Sequence, residues 1–130
     1  MLIDDKLLNE LMVEAAESPR LRMNRDMRNS AEDGSQRMLN ALEMGTVLPI
    51  HRHRTSSETQ ILLRGKIDVI FYDDNGSETE RFHLDPQNGM YAVNVPLGQW
   101  HNLEVIEPAV IFEAKDGAYA PLTPEDVILF

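Results

Sequence analysis

From residue 36 to residue 114 the chain is a succession of short apolar stretches, each soon interrupted by glycine, proline or a polar turn. This texture constrains the fold more than any other feature, because many short strands at close spacing predict a β-sandwich or barrel. Candidate strands fall at 36–42, 46–53, 59–63, 66–72, 78–84, 90–95, 100–105 and 109–114. The run Asp73-Asp74-Asn75-Gly76 is a hairpin signal, since Asn-Gly readily takes positive φ. Lys66 to Tyr72, before it, is rich in β-branched and aromatic residues.

The two ends of the chain read differently. Over 4–17, Leu7, Leu8, Leu11, Met12 and Ala15 recur at helical spacing, with Glu10, Glu14 and Glu17 on the other face. Asp4 or Asp5 can cap this helix, and Ser18-Pro19 ends it. Such a helix is expected to cover a barrel edge or a partner subunit. Residues 20–34 read as an irregular, arginine-rich connection, and 121–130 as a tail packing on the barrel or a neighbour. The expected organisation is a helix and connecting segment at 1–34, a barrel at 35–120 and a tail at 121–130.

Composition narrows the functional classes. The chain has 130 residues, which fits one domain with a core of its own. A net charge of -10 argues against a general nucleic-acid binder, which needs clustered Lys and Arg. The absence of cysteine rules out disulfides and thiolate metal ligands. The opening Met1-Leu-Ile-Asp-Asp-Lys carries acid where a secretion signal carries base, and no long apolar run follows. No membrane association is expected, and a cytoplasmic address is the default.

Three of the four histidines stand in contexts that carry chemistry. His51 and His53 are two apart, so on a strand both imidazoles point to one face, and both can reach one ion. Glu58 follows a short polar stretch, where its carboxylate can return to the same point. Pro96-Leu-Gly98-Gln-Trp-His101 is a turn that starts a new strand with a third imidazole near its beginning. Each piece has an ordinary structural reading: a His-x-His pair is common on surface strands, and a lone histidine is often part of a core. Together, four ligand types at strand starts beside Gly and Pro turns predict a metal site at His51, His53, Glu58 and His101.

Here the sequence resembles a known family. Gly45, His51, His53, Glu58 and Gly65 match the first cupin motif, G-x5-H-x-H-x4-E-x6-G, in type and spacing. Gly89, Pro96, Gly98 and His101 resemble the second, G-x5-P-x-G-x2-H-x3-N, with six residues between Gly89 and Pro96 and Val105 in place of the final Asn. The resemblance implies an all-β, cupin-type double-stranded β-helix (a jelly-roll barrel), with one N-terminal helix and a metal near one mouth. It implies the same four residues as ligands of one divalent transition metal ion. Mixed nitrogen and oxygen donors suit iron, manganese, nickel, cobalt or zinc alike. A narrower resemblance, carried by Ser18-Pro-Arg-Leu-Arg, Gln36-Arg-Met-Leu-Asn-Ala-Leu and Pro49-Ile-His-Arg-His, is to WbuC-type cupin metalloproteins. It implies a setting in bacterial O-antigen and surface-polysaccharide metabolism.

Alternation suggests the pocket lining. Pro49 is in phase with His51, Gln60 and Leu62 with Glu58, and Gln99 and Leu103 with His101; Met38, Asn40 and Leu42 face the same space from the preceding strand. No second acid or base is evident beside the metal. Arg20, Arg22, Arg25 and Arg28 are read first as surface ion pairs and second as contacts to the phosphate or carboxylate of an activated sugar. His83 and Trp100 are assigned to structure. Two functions follow: a metal-dependent enzyme on a small polar or carbohydrate-like molecule, an isomerase or an oxygenase, or a non-catalytic ligand-binding or regulatory module. Metal-free sugar-nucleotide isomerases of the same barrel rank lowest, because this chain places its histidines at ligand spacing. A homodimer is expected.

Overall fold

The computed structural model describes residues 1–128; Leu129 and Phe130, the end of the expected tail, lie outside the described residues. Helix α1 (Asp5–Glu17) precedes eight strands: β1 (Arg22–Asp26), β2 (Ser35–Leu42), β3 (Ile50–His51), β4 (Glu58–Tyr72), β5 (Glu78–Leu84), β6 (Ala92–Val95), β7 (Trp100–Asp116) and β8 (Val127–Ile128). Single 3-10 turns at Pro86–Asn88 and Pro124–Asp126 precede β6 and β8.

The helix is set at both ends by local chemistry. The Leu7 backbone N–H donates to the Asp4 side chain at 3.0 Å, satisfying one donor of the open first turn. Ser18, extended before Pro19, ends it. Leu7, Leu8, Leu11 and Ala15 pack on Leu39, Ala41 and Val110. α1 thus lies on the outer face of β2 and β7 and reaches the edge strand β1, where it meets Met23. Leu11 is fully buried, and truncating such a residue costs about 2–5 kcal/mol.

The strands make two antiparallel layers that share β4 and β7. These two pair from Glu58↔Lys115 to Tyr72↔Trp100. One layer runs β1-β2-β7-β4-β6, using the start of β4 and the end of β7. The other runs β8-β3-β7-β4-β5, using the remaining halves. Leu42, Leu62, Ile67, Val69, Leu84, Val93 and Ile111 fill the space between them. This is the two-layered cupin jelly roll with an N-terminal helix that the sequence predicts. Among the described residues the ladder does not close into a ring; β1, β5, β6 and β8 are its edges.

Several strand expectations change, and 46–53 is a strand only at Ile50–His51. The stretches 59–63 and 66–72 are one strand, and so are 100–105 and 109–114. The register shifts between Leu62 and Ile67, where both strands turn the corner between layers. Gly65 sits there at φ +88°, and a Cβ on it would lie 2.2 Å from the Pro108 carbonyl oxygen. The glycine therefore marks a bend and a close approach of backbones, not a reversal. Finally, the segment read as irregular contains β1, each of whose residues is paired with β2.

Candidate metal centre

The candidate ligand residues come from four places that the fold draws together. His51 ends the short β3 and lies directly across from His101 of β7. His53 lies just past β3, and Glu58 is the first residue of β4. The turn before β7 is built on Gly98, at φ +77°, and its N–H donates to the His53 carbonyl at 2.8 Å. That bond ties one histidine motif to the other through backbone. One ligand atom from each of His51, His53, Glu58 and His101 lies within 4.8 Å of the others. The His51 and His101 rings are 4.3 Å apart between centroids, and Glu58 Oε1 is 2.5 Å from His101 Nε2.

The ring orientations suit a cation. His51 Nδ1 donates to the Pro49 carbonyl at 3.0 Å, and His101 Nδ1 to the Gln99 carbonyl at 2.9 Å. A carbonyl only accepts, so each Nδ1 bears the hydrogen and each Nε2 keeps a lone pair for the centre. The Nε2 atom of His53 is buried without a hydrogen-bond partner, and that of His101 meets only Glu58 Oε1. Leaving such an atom unsatisfied costs about 1–3 kcal/mol, and a divalent ion is the partner that would satisfy both nitrogens together with the carboxylate.

Protonation points the same way. Burial, and then the nearby His101, push His51 down to about 4. Burial, and then the Lys115 ammonium, push His53 down to about 4. Burial alone would raise Glu58, but the adjoining His101 and then Lys115 more than offset it and hold it at about 2. At neutral pH these two imidazoles are neutral and the carboxylate is charged, the form a metal ion requires. The residues fit a divalent ion.

A cavity of about 390 Å³ opens beside the centre. Among the pocket residues expected from sequence, Met38, Asn40, Gln60, Pro49 and Leu103 line it. Leu42 and Leu62 instead belong to the apolar core. Gln99 does not line the cavity: its side-chain amide donates to the Tyr72 and Trp100 carbonyls at 3.0 and 2.9 Å. The four arginines divide. Arg20 and Arg22 line the cavity, Arg28 pairs with Asp26 at 2.7 Å, and Arg25 lies on the face of β1 away from the cavity.

Sequence reasoning missed Glu113 and Lys115, which also line the cavity. Lys115 Nζ lies 3.7 Å from Glu58 and 4.0 Å from Glu113. Burial, and then the charge of Glu58, push the Glu113 carboxyl up. The expectation of no second acid or base beside the metal is thus corrected. The signal was the alternation Ile111-x-Glu113-x-Lys115, inward-facing like Ile111. A His–Asp pair exists as well, His83 Nδ1 to Asp68 at 2.6 Å, but it lies on the outside of the β4–β5 hairpin with Arg81, remote from the cavity.

The histidine segment is held from behind. In His51-Arg52-His53-Arg54 the histidines face the centre while the arginines reach the C-terminal segment. Arg52 and Arg54 meet Asp126 at 3.1 and 2.6 Å, Arg54 also meets Glu125 at 3.1 Å, and β8 pairs with β3. Arg52 stacks on Trp100, 4.4 Å from its ring centroid.

Fold and donor set together define the class: a cupin whose mouth carries three imidazoles and a carboxylate able to hold a metal ion. Solved structures agree on the fold. The capsular polysaccharide assembling protein CapF from Staphylococcus aureus is 20% identical with a TM-score of 0.67, over 85% of this chain and 32% of that one. KdgF from Halomonas sp. is 14% identical with a TM-score of 0.62, over 78% and 84%. Bacillus subtilis oxalate decarboxylase, described for its Mn(II) centres, is 21% identical with a TM-score of 0.59, over 77% and 26%. The chain spans less than a third of the length of CapF. No curated protein matches the sequence. The chain belongs to the family described as "Domain of unknown function (DUF6016)", whose profile matches residues 3–84. That segment holds His51, His53 and Glu58; His101 lies beyond it.

Proposed function

We propose that this chain is a metal-dependent cupin acting on a small carbohydrate-like molecule in bacterial surface-polysaccharide metabolism. The observation that carries the reading is the convergence of His51, His53, Glu58 and His101 beside a cavity of about 390 Å³, a volume suited to a small ligand. The setting is supported by likeness in fold to the capsular polysaccharide assembling protein CapF and by the narrower resemblance to WbuC-type cupins.

An ion held by these four groups supplies Lewis acidity to an oxygen placed beside it. The chain's own residues do the rest. Pro49 and Gln99 fix the tautomers of His51 and His101. Asn40 and Gln60 present buried side-chain oxygens with no partner in the protein, acceptors for ligand hydroxyls. Glu113, raised by burial and by Glu58, favours its protonated form more than an ordinary carboxyl does, so it can give or take a proton at the cavity wall. That residue favours catalysis over a non-catalytic module.

Elemental analysis of protein purified without added metal or chelator tests the reading, beside a His51→Ala/His101→Ala double variant. The expected result is about one ion per chain, lost in the variant. Absence of metal in the parent, with no uptake on titration, sinks the metal-dependent reading. Stoichiometric metal whose bound water no small ligand displaces sinks the catalytic part alone.

A further inference from the structure

We infer that the cavity beside the metal centre takes a hydroxylated anion, a sugar bearing a carboxylate or a phosphate, and that Arg20 and Arg22 form its anion subsite. The inference rests on the proposed function and narrows its substrate class.

Arginine usage in the rest of the chain makes these two stand apart. Arg28, Arg37, Arg52, Arg54, Arg64 and Arg81 each lie within 4.0 Å of a carboxylate. Among the described residues Arg20, Arg22 and Arg25 have no such partner, in a chain with 22 acidic residues to offer one, and of these three only Arg20 and Arg22 face the cavity. Both line the cavity that also holds His51, Glu58 and His101. Arg22 is aimed: its Nη1 donates to the Val47 carbonyl at 3.0 Å, which fixes the guanidinium and leaves its other N–H groups open. Burial, and then the positive charge of Arg20, lower the Arg22 pKa, so the pair is a site of uncompensated positive charge. A planar guanidinium held in this way suits a carboxylate or phosphate, which it can grip with two parallel hydrogen bonds.

The remaining lining specifies what else the anion carries. Asn40 Oδ1 and Gln60 Oε1 are buried and lack a donor. Sulfate or chloride has none to give and hydrogenphosphate at most one or two, whereas a sugar has several hydroxyls. The carboxylates in the same cavity do not oppose an anion at the arginines. Glu58 faces the histidines, and Glu113 has Lys115 4.0 Å away.

The test is calorimetric titration of the metal-loaded protein with glucuronate, glucose 1-phosphate and glucose. The parent is compared with Arg20→Gln, Arg22→Gln and, as a control for net charge alone, Arg25→Gln. The expected result is binding of at least one anionic sugar, weakened by about tenfold or more in Arg22→Gln, as for loss of a charged hydrogen bond, and also weakened in Arg20→Gln. Arg25→Gln should bind as the parent does, and metal content and Tm should stay unchanged in all three. The tighter of the two anions then assigns the subsite to carboxylate or phosphate. Glucose binding as tightly as either anion, or arginine variants binding like the parent, overturns the anion subsite while leaving a metal-dependent sugar cupin standing. A metal-loaded protein that binds none of the three overturns the subsite and the carbohydrate reading together, and a protein without metal fails the earlier test instead.

Discussion

Acidification separates a buried, pre-formed metal site from a set of surface histidines by a large factor. His51 and His53 are held at about 4 by burial, where an ordinary imidazole titrates near 6.5. Protons compete with metal for each imidazole by a factor of 1 + 10^(pKa − pH). Between pH 7 and pH 5, two ordinary imidazoles would together weaken metal binding about 600-fold, whereas two at about 4 weaken it only about 1.2-fold. Glu58, at about 2, stays ionised throughout this range. The assay is calorimetry at pH 5.5 in two buffers of different ionisation enthalpy, which counts the protons released per ion bound. Ordinary values would release about 1.8 protons from His51 and His53 alone; the depressed ones release about 0.06. Release of two or more protons per ion in the Glu113→Gln variant, which lacks the raised carboxyl of the cavity, would refute the argument, because a single remaining imidazole cannot supply them. The same shifts set a sign for stability. A histidine whose folded pKa is lowered contributes stability that is present above 6.5 and lost as pH falls toward 4, so the metal-free protein should lose Tm across that window.

Two further outcomes follow from the geometry. Glu113→Gln should retain metal and lower turnover of the eventual substrate by about 10²–10⁴-fold if Glu113 moves the proton; unchanged turnover would remove it from the chemistry. Gly65→Ala should destabilise the fold by more than the ~1–2 kcal/mol of a left-handed backbone, because its Cβ would lie 2.2 Å from the Pro108 carbonyl oxygen. A chemical denaturation midpoint equal to the parent's would show that the corner can open freely.

The parts of this molecule legible in its sequence are those where one residue type does one job. His51, His53 and Glu58 could be read as ligands because their spacing matches strand and turn geometry and few other roles need it. The β4–β5 hairpin announced itself through Asn75-Gly76, and Gly76 takes φ +78°. The continuity of β4 and β7 was hidden, because Gly65 and Pro108 are local turn signals, and only the packing of one backbone on the other makes them a bend. β1 was hidden for a different reason. Arg22-Met-Asn-Arg-Asp has little apolar character, and its strand conformation comes from pairing with β2 and from α1 covering Met23. Glu113 is in phase with His101 and Ile111 but was lost because the irregularity at residues 106–108 hides that the two stretches are one strand. A carboxylate near a strand end then reads as surface until the fold buries it.

The alternation of histidine and arginine over residues 51–54 has a thermodynamic consequence. The backbone that carries two ligands is also the backbone gripped by Asp126 and paired with β8. Seating the C-terminal segment therefore removes freedom from the ligands before an ion arrives, and an ion removes freedom from the same segment before it seats. The two events are linked with one coupling free energy, identical in both directions. Affinity for the ion is thus expected to depend partly on Asp126, more than seventy positions along the chain from the His51–Arg54 segment, and protection of the amides of β8 from exchange should rise with metal occupancy.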